Sequence, residues 1–130
     1  GGKRILVDTS PDLRQQFLTQ GLTSVDAVIL THAHADHMHG LDDLRSVNYH
    51  RNAPLEIWSD AATLREARER FGYAFAPPRT NAGIWYARSR HWPGSIPGSS
   101  IVCRTIRVSR IAICRRPWPG SSACVPGARC

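Results

Sequence analysis

Residues 25–41 read Val-Asp-Ala-Val-Ile-Leu-Thr-His-Ala-His-Ala-Asp-His-Met-His-Gly-Leu. An apolar run, Val25 to Leu30, passes directly into a loop that holds four of the chain's six histidines. A short, nearly continuous apolar run predicts a strand buried on both faces, as in a sheet covered by helices. The end of such a strand is where α/β sheets place their sites, because the backbone is held and the side chains are free to converge.

The surrounding sequence repeats that alternation. Ile5-Leu6-Val7 reads as a buried strand ending at Asp8. Ser10-Pro11-Asp12 predicts a helix start, with Ser10 as cap, Pro11 in the first turn and Asp12 at the positive end of the dipole. Leu13, Phe17 and Leu18 form its apolar stripe, and Gly21 is its stop. Gly40 to about Tyr49 reads as a helix, with Leu41, Leu44 and Val47 three apart. Leu55-Glu56-Ile57-Trp58 reads as a third strand after Pro54. Asp60 caps a helix to about Arg70, on which Glu66 and Arg70 pair at i, i+4. This succession predicts an α/β layered domain.

The loop carries the chemistry. His32, His34, Asp36 and His37 supply imidazole nitrogens and a carboxylate, all good ligands for zinc. Ala33 and Ala35 are small enough for a tight fold around an ion. Two histidines one residue apart can grip one metal, and Asp36 with His37 can turn toward a second. A solvated turn or incidental chelator is the plain alternative for any single histidine; four donors in six positions at a strand end favour metal ligation. His39 lies beside the pattern, where a rim role and a substrate contact are equally open, and His50 and His91 read as surface residues.

Thr31–Leu41, with its His-x-His-x-Asp-His-x-x-Gly-Leu pattern, resembles the signature of the metallo-β-lactamase superfamily of metal-dependent hydrolases. Residues 5–16, Val25–Val28, His39–Arg45 and Arg70–Phe75 resemble its bacterial branch related to phosphoribosyl cyclic phosphate phosphodiesterase. The resemblance covers about residues 3–78. It implies an α/β fold that is part of an αββα four-layer sandwich, followed by an irregular C-terminal tail. It implies two divalent ions, zinc before manganese, with His32 and His34 on the first and Asp36 and His37 on the second. Asp36 would also orient the nucleophile, a metal-activated hydroxide, for attack on a small cyclic phosphate. Asp8 matches an acidic position that supports the metal loop, and a helix-entry residue is its equal alternative. Asp42, Asp43 and Arg45 match the branch; Asp43 reads best as a helix-entry residue.

The resemblance also sets expectations about what lies downstream. The superfamily completes its site with a further His, a bridging Asp and a last His. Here no acid follows Glu69, and His91 is the only later histidine. The chain is therefore expected to hold the early-middle portion of the fold. Rival readings are an RNA-processing, thioester or lactone hydrolase of the same superfamily, an inactive fragment, and a basic nucleic-acid-binding module.

Composition divides the 130 residues in two. The formal net charge of +7 splits into −2 for residues 1–70, which hold all ten acids, and +9 for residues 71–130, which hold nine Arg and no acid. All four cysteines and seven of nine prolines follow residue 76. Residues 1–78 are read as the partial domain and 79–130 as a basic Arg/Pro/Gly/Ser/Cys-rich tail outside the fold. Abrupt loss of resemblance and an Arg, Pro, Gly, Ser and Trp bias favour out-of-frame translation over a nucleic-acid arm, though Ile101–Ile113 alternates like a strand. Cysteine spacings of 11, 10 and 6 argue against a zinc ribbon. No apolar run nears the roughly 20 residues that cross a bilayer. A small phosphorylated substrate, no membrane and a cytoplasmic setting are expected, with nucleic acid disfavoured.

Overall fold

The computed structural model describes residues 3–77, 87–92 and 110–114. Five strands and five short helices alternate along them: β1 Lys3–Val7, α1 Leu13–Thr19, β2 Ala27–Ile29, α2 Ala35–Met38, α3 Leu44–Arg51, β3 Leu55–Ser59, α4 Ala61–Arg70, α5 Gly72–Phe75, β4 Ala87–His91 and β5 Arg110–Cys114. One 3-10 turn, Leu41–Asp43, leads into α3.

The strands form one sheet in the order β4-β3-β2-β1-β5. β1 to β4 run parallel, with Val7 beside Ile29, Ile29 beside Trp58 and Trp58 beside Arg90. β5 closes the other edge antiparallel to β1. Parallel neighbours need crossover connections, and each is made by helix. The α/β class expected from the alternation is the class observed.

Helices pack against one face of the sheet. Leu6, Val28, Leu55 and Ile57 meet Leu13 and Phe17 of α1, Met38 of α2, Leu44 and Val47 of α3, and Leu64 and Ala67 of α4 in one buried cluster. Alternate strand residues Ile5, Val7, Ala27, Ile29 and Trp58 are buried too, which is why these strands read as continuous apolar runs. Burying each such aliphatic side chain stabilises the fold by about 1.5–3 kcal/mol before the entropy cost of ordering. Asp26, at the start of β2, ties the outer ends of β1 and β2. Partial burial pushes its carboxyl up, but the Arg4 N–H at 2.8 Å and the Lys3 ammonium at 3.3 Å outweigh that and hold it below its ordinary range.

Details differ from the reading by sequence. α1 begins at Leu13 with Asp12 as its N-cap, not at Ser10; Ser10 is buried, its hydroxyl accepting from Gln16 Nε2 at 3.0 Å. Leu18 is 66% exposed instead of joining the stripe. The histidine stretch contains a turn of helix, α2, rather than loop throughout. Gly21 follows α1 at φ 61°, the left-handed conformation a helix stop requires. α3 runs on to Arg51 and stops at left-handed Asn52. Beyond residue 78, β4, Trp92 and β5 are described; the remaining tail expectations, including most of the Ile101–Ile113 alternation and Cys103, Cys124 and Cys130, lie outside the described residues. Among the described residues, no helix is long and apolar enough to cross a membrane.

Candidate functional site

β1 ends by turning. Asp8 continues the sheet through its N–H to the Ile29 carbonyl at 2.8 Å, then takes the left-handed conformation at φ 61°. Among non-glycine residues Asp is one of the few that tolerate it. The turn aims the carboxylate across to the loop after β2. There it accepts hydrogen bonds from the Thr31 N–H at 2.8 Å and the Thr31 hydroxyl at 2.8 and 2.9 Å. Its Oδ2 also lies 2.8 Å from His37 Nδ1.

Those contacts bear on the ring nitrogens of His37 and His32. His37 stands between two carboxylates, Asp8 on Nδ1 and Asp36 on Nε2; with a cation on Nε2, the Nδ1 hydrogen would go to Asp8. The Thr31 hydroxyl has one proton and gives it to Asp8. His32 Nδ1, 2.9 Å from Thr31 Oγ, must therefore be the donor there, which leaves His32 Nε2 with the lone pair. His32 Nε2 stands 3.1 Å from His34 Nδ1, and His37 Nε2 stands 3.3 Å from Asp36 Oδ2. The His32 and His37 rings lie 4.0 Å apart, centre to centre.

Three further residues hold the loop, and none was singled out for it in the sequence. Buried Thr9 donates its N–H to the His37 carbonyl at 2.7 Å and its hydroxyl to the Met38 carbonyl at 3.1 Å. Gly40 donates to the Thr9 carbonyl at 2.9 Å, so close that a Cβ on Gly40 would stand 1.9 Å from the Ser10 oxygen. Arg70, at the end of α4, donates to the Ala33 carbonyl at 2.6 Å and to Glu66 at 2.6 Å. The i, i+4 spacing announced the Glu66 pair; nothing local announced a contact 37 residues away.

The donor set suits divalent metal, and it comes as two pairs. Two ligands on one tetrahedral zinc stand about 3.3 Å apart, close to the His32–His34 and Asp36–His37 separations of 3.1 and 3.3 Å. Among the described residues no three His, Cys, Asp or Glu side chains are gathered at one metal-holding point. Each pair would need completing ligands from elsewhere.

Neighbouring candidates fall around this centre. His39 is exposed, its ring 6.0 Å from that of Phe71. Asp42 accepts from the Tyr73 hydroxyl at 2.6 Å. Partial desolvation and then the Asp42 carboxylate push the Tyr73 phenol up to about 12, so it remains a donor through the neutral range. Asp43 accepts from the Arg14 N–H at 3.3 Å, Arg45 is exposed, and His50 bonds back to the Ser46 carbonyl. His91 ends β4 in register with Ser59, at the same sheet end as the loop but two strands from β2. A cleft of about 190 Å³ lies apart from the loop, between α1 and α3, floored by Leu13, Phe17 and Val47.

Known proteins share this segment. A family described as Beta-lactamase superfamily domain matches residues 3–109. An octanoyltransferase of Porphyromonas gingivalis (strain ATCC BAA-308 / W83) is 51% identical over 74 residues, 57% of this chain and 15% of that protein. The crystal structure of a new diphosphatase from the PhnP family superposes with a TM-score of 0.57 at 32% identity, covering 68% of this chain and 33% of that one. The chain thus spans one third or less of the length of these relatives.

Proposed function

The chain belongs to the Beta-lactamase superfamily domain family, and from that premise we propose that it carries the metal loop of a hydrolase acting on small phosphorylated substrates, a cyclic phosphodiester first among them. The observation that carries this reading is the pair of donor pairs, His32 with His34 and Asp36 with His37, standing at ligand spacing, with His37 Nδ1 against the Asp8 carboxylate. The likeness to a diphosphatase, at 32% identity, supports phosphoryl chemistry over thioester or lactone chemistry. It also favours one second reading, cleavage of a phosphoanhydride. The octanoyltransferase shares too little of its length to lend its acyl transfer.

His32 and His34 would hold one divalent ion, and Asp36 and His37 a second, with zinc or manganese as the candidates. When bound, such ions supply Lewis acidity that acidifies water and offsets charge on phosphorus. The chain's own residues do the rest. Asp8 and Thr31, against Nδ1 of His37 and His32, would leave Nε2 of each ring to the metal. Asp36, with 78% of its side chain exposed, is the proposed catalytic residue. It orients the attacking water and accepts its proton. The water oxygen bonds to phosphorus, one ester P–O bond breaks, and the proton ends on the departing oxygen. A cytoplasmic setting and a boundary in composition near residue 78, with β4 and β5 drawn from beyond it, complete the reading.

Zinc and manganese titration of the full chain, followed by a panel of cyclic phosphodiester, diphosphate, thioester, lactone and RNA substrates, tests it. Binding of metal that His32→Ala and His34→Ala abolish, with turnover of a phosphorylated substrate, is expected. Binding that survives both substitutions would overturn the ligand assignment. Metal binding without turnover identifies the chain as an inactive fragment. Salt-sensitive nucleic-acid binding indifferent to His32→Ala would favour the basic module instead.

A further inference from the structure

We infer that Arg70 is a positioning residue for the histidine pair, acting through the Ala33 carbonyl; the inference goes beyond the metal assignment and rests on it only where affinity is the readout. Ala33 separates His32 from His34, and its carbonyl lies in the peptide plane that leads into His34, so the direction of that carbonyl fixes the main chain from which His34 projects. That carbonyl accepts from Arg70 Nη1 at 2.6 Å. Arg70 Nη2 is meanwhile held at 2.6 Å by Glu66 one turn earlier on α4. The rigid guanidinium fork thus spans from a helix side chain to the loop main chain, a bridge that a lysine's single ammonium reproduces poorly.

The loop is pinned at three successive places. Asp8 takes the Thr31 N–H before the pair, Arg70 takes Ala33 within it, and Thr9 takes the His37 carbonyl after it. The first and last come from the end of β1, while the middle one comes from α4 and is the contact next to both His32 and His34. His34 is exposed, and its ring meets that of His32, with Nδ1 3.1 Å from His32 Nε2 and an edge-on ring approach at 4.6 Å. Its direction therefore depends on the main chain before it. Glu66 offsets the charge that Arg70 brings beside a cation site, and so lets a cationic side chain serve there.

The test uses the full chain, wild type and with Arg70→Gln, Arg70→Lys and Glu66→Gln. Imidazole nitrogen spectra of the metal-free chain report the tautomers of His32 and His34. Wild type is expected to show fixed, hydrogen-bonded rings; Arg70→Gln should average His34, Arg70→Lys should restore part of the order, and Glu66→Gln should fall between. Cobalt titration, followed by the visible spectrum of the bound ion, should weaken about 10–100-fold in Arg70→Gln. Arg68→Gln is the folding control, because Arg68 reaches Ser89 on β4 rather than the loop. Wild-type ring spectra in Arg70→Gln would overturn the inference. Failure of wild type to bind cobalt would overturn the metal assignment and leave the ring spectra to decide on Arg70.

Discussion

Asp8 Oδ2 and His37 Nδ1 stand 2.8 Å apart across 29 residues of sequence. The contact exists because Asp8 adopts φ 61° at the strand end, a conformation that costs a non-glycine residue on the order of 1–3 kcal/mol. The cost is offset by three donors on one carboxylate: the Thr31 amide, the Thr31 hydroxyl and His37. Asp8→Asn keeps the shape and the tolerance for that conformation. It turns an NH₂ toward groups that are themselves donors. Metal affinity should fall about 10–100-fold and unfolding free energy by about 1–3 kcal/mol. Chelator competition and urea unfolding measure the two. Wild-type values in both would show that Asp8 is merely a helix-entry residue.

The histidines divide by their surroundings. His34 faces His32 Nε2 at 3.1 Å, whereas His39 faces the Phe71 ring at 6.0 Å. His34→Ala should therefore remove one bound ion per chain, and His39→Ala should leave the stoichiometry unchanged. Equilibrium dialysis with zinc decides this. Equal losses from both substitutions would mean that the cluster chelates metal without an ordered site.

Gly40 and Gly21 provide a paired test of why a glycine is needed. Gly21 has φ 61° but open space around its Cβ position, so Gly21→Ala should cost about 1 kcal/mol through backbone strain alone. Gly40 has an ordinary φ of −83°, but an added Cβ would meet the Ser10 oxygen at 1.9 Å and the Leu13 Cβ at 3.0 Å. Backbone must move there, so Gly40→Ala should cost about 3 kcal/mol or more. It should also disturb the metal loop through Thr9, to which Gly40 is bonded. Thermal unfolding of the two variants should rank Gly40→Ala well below Gly21→Ala; the reverse order would sink the close-approach argument.

Local signals announced the elements of this fold, and long-range geometry escaped them. Ile5–Val7, Val25–Leu30 and Leu55–Trp58 were legible as strands because burial on both faces leaves a continuous apolar run. The four donors were legible because they sit within six positions. β4, Ala-Arg-Ser-Arg-His, has no apolar pattern: Arg90 pairs with Glu56, and the strand exists through its ladder to β3. α2 was hidden because His34 precedes it without any side-chain cap. The Asp8, Thr9 and Arg70 contacts each cross more than 20 residues, a distance at which spacing carries no signal.

Asp60 gives the prediction in which pH enters. Its carboxylate caps α4, accepting from the Ala62 N–H at 2.9 Å, the Thr63 N–H at 3.0 Å and the Thr63 hydroxyl at 2.8 Å. The Thr63 N–H above all holds the carboxyl below its ordinary value of 3.8, partial burial opposing it. A carboxyl depressed on folding adds stability that is complete above its unfolded value and is lost as pH falls through its folded value. Asp60→Ala should cost about 1 kcal/mol near neutrality and little at the acid end, where the wild-type carboxyl is protonated as well. Asp60→Asn, which keeps an acceptor but cannot titrate, should lose less at neutral pH and follow a flatter acid limb. Asp26, also depressed, is present in all three chains, so the difference between their urea midpoints from neutral pH down through 3.8 isolates Asp60. Parallel acid limbs for wild type and Asp60→Asn would show that the cap's charge adds nothing to the fold.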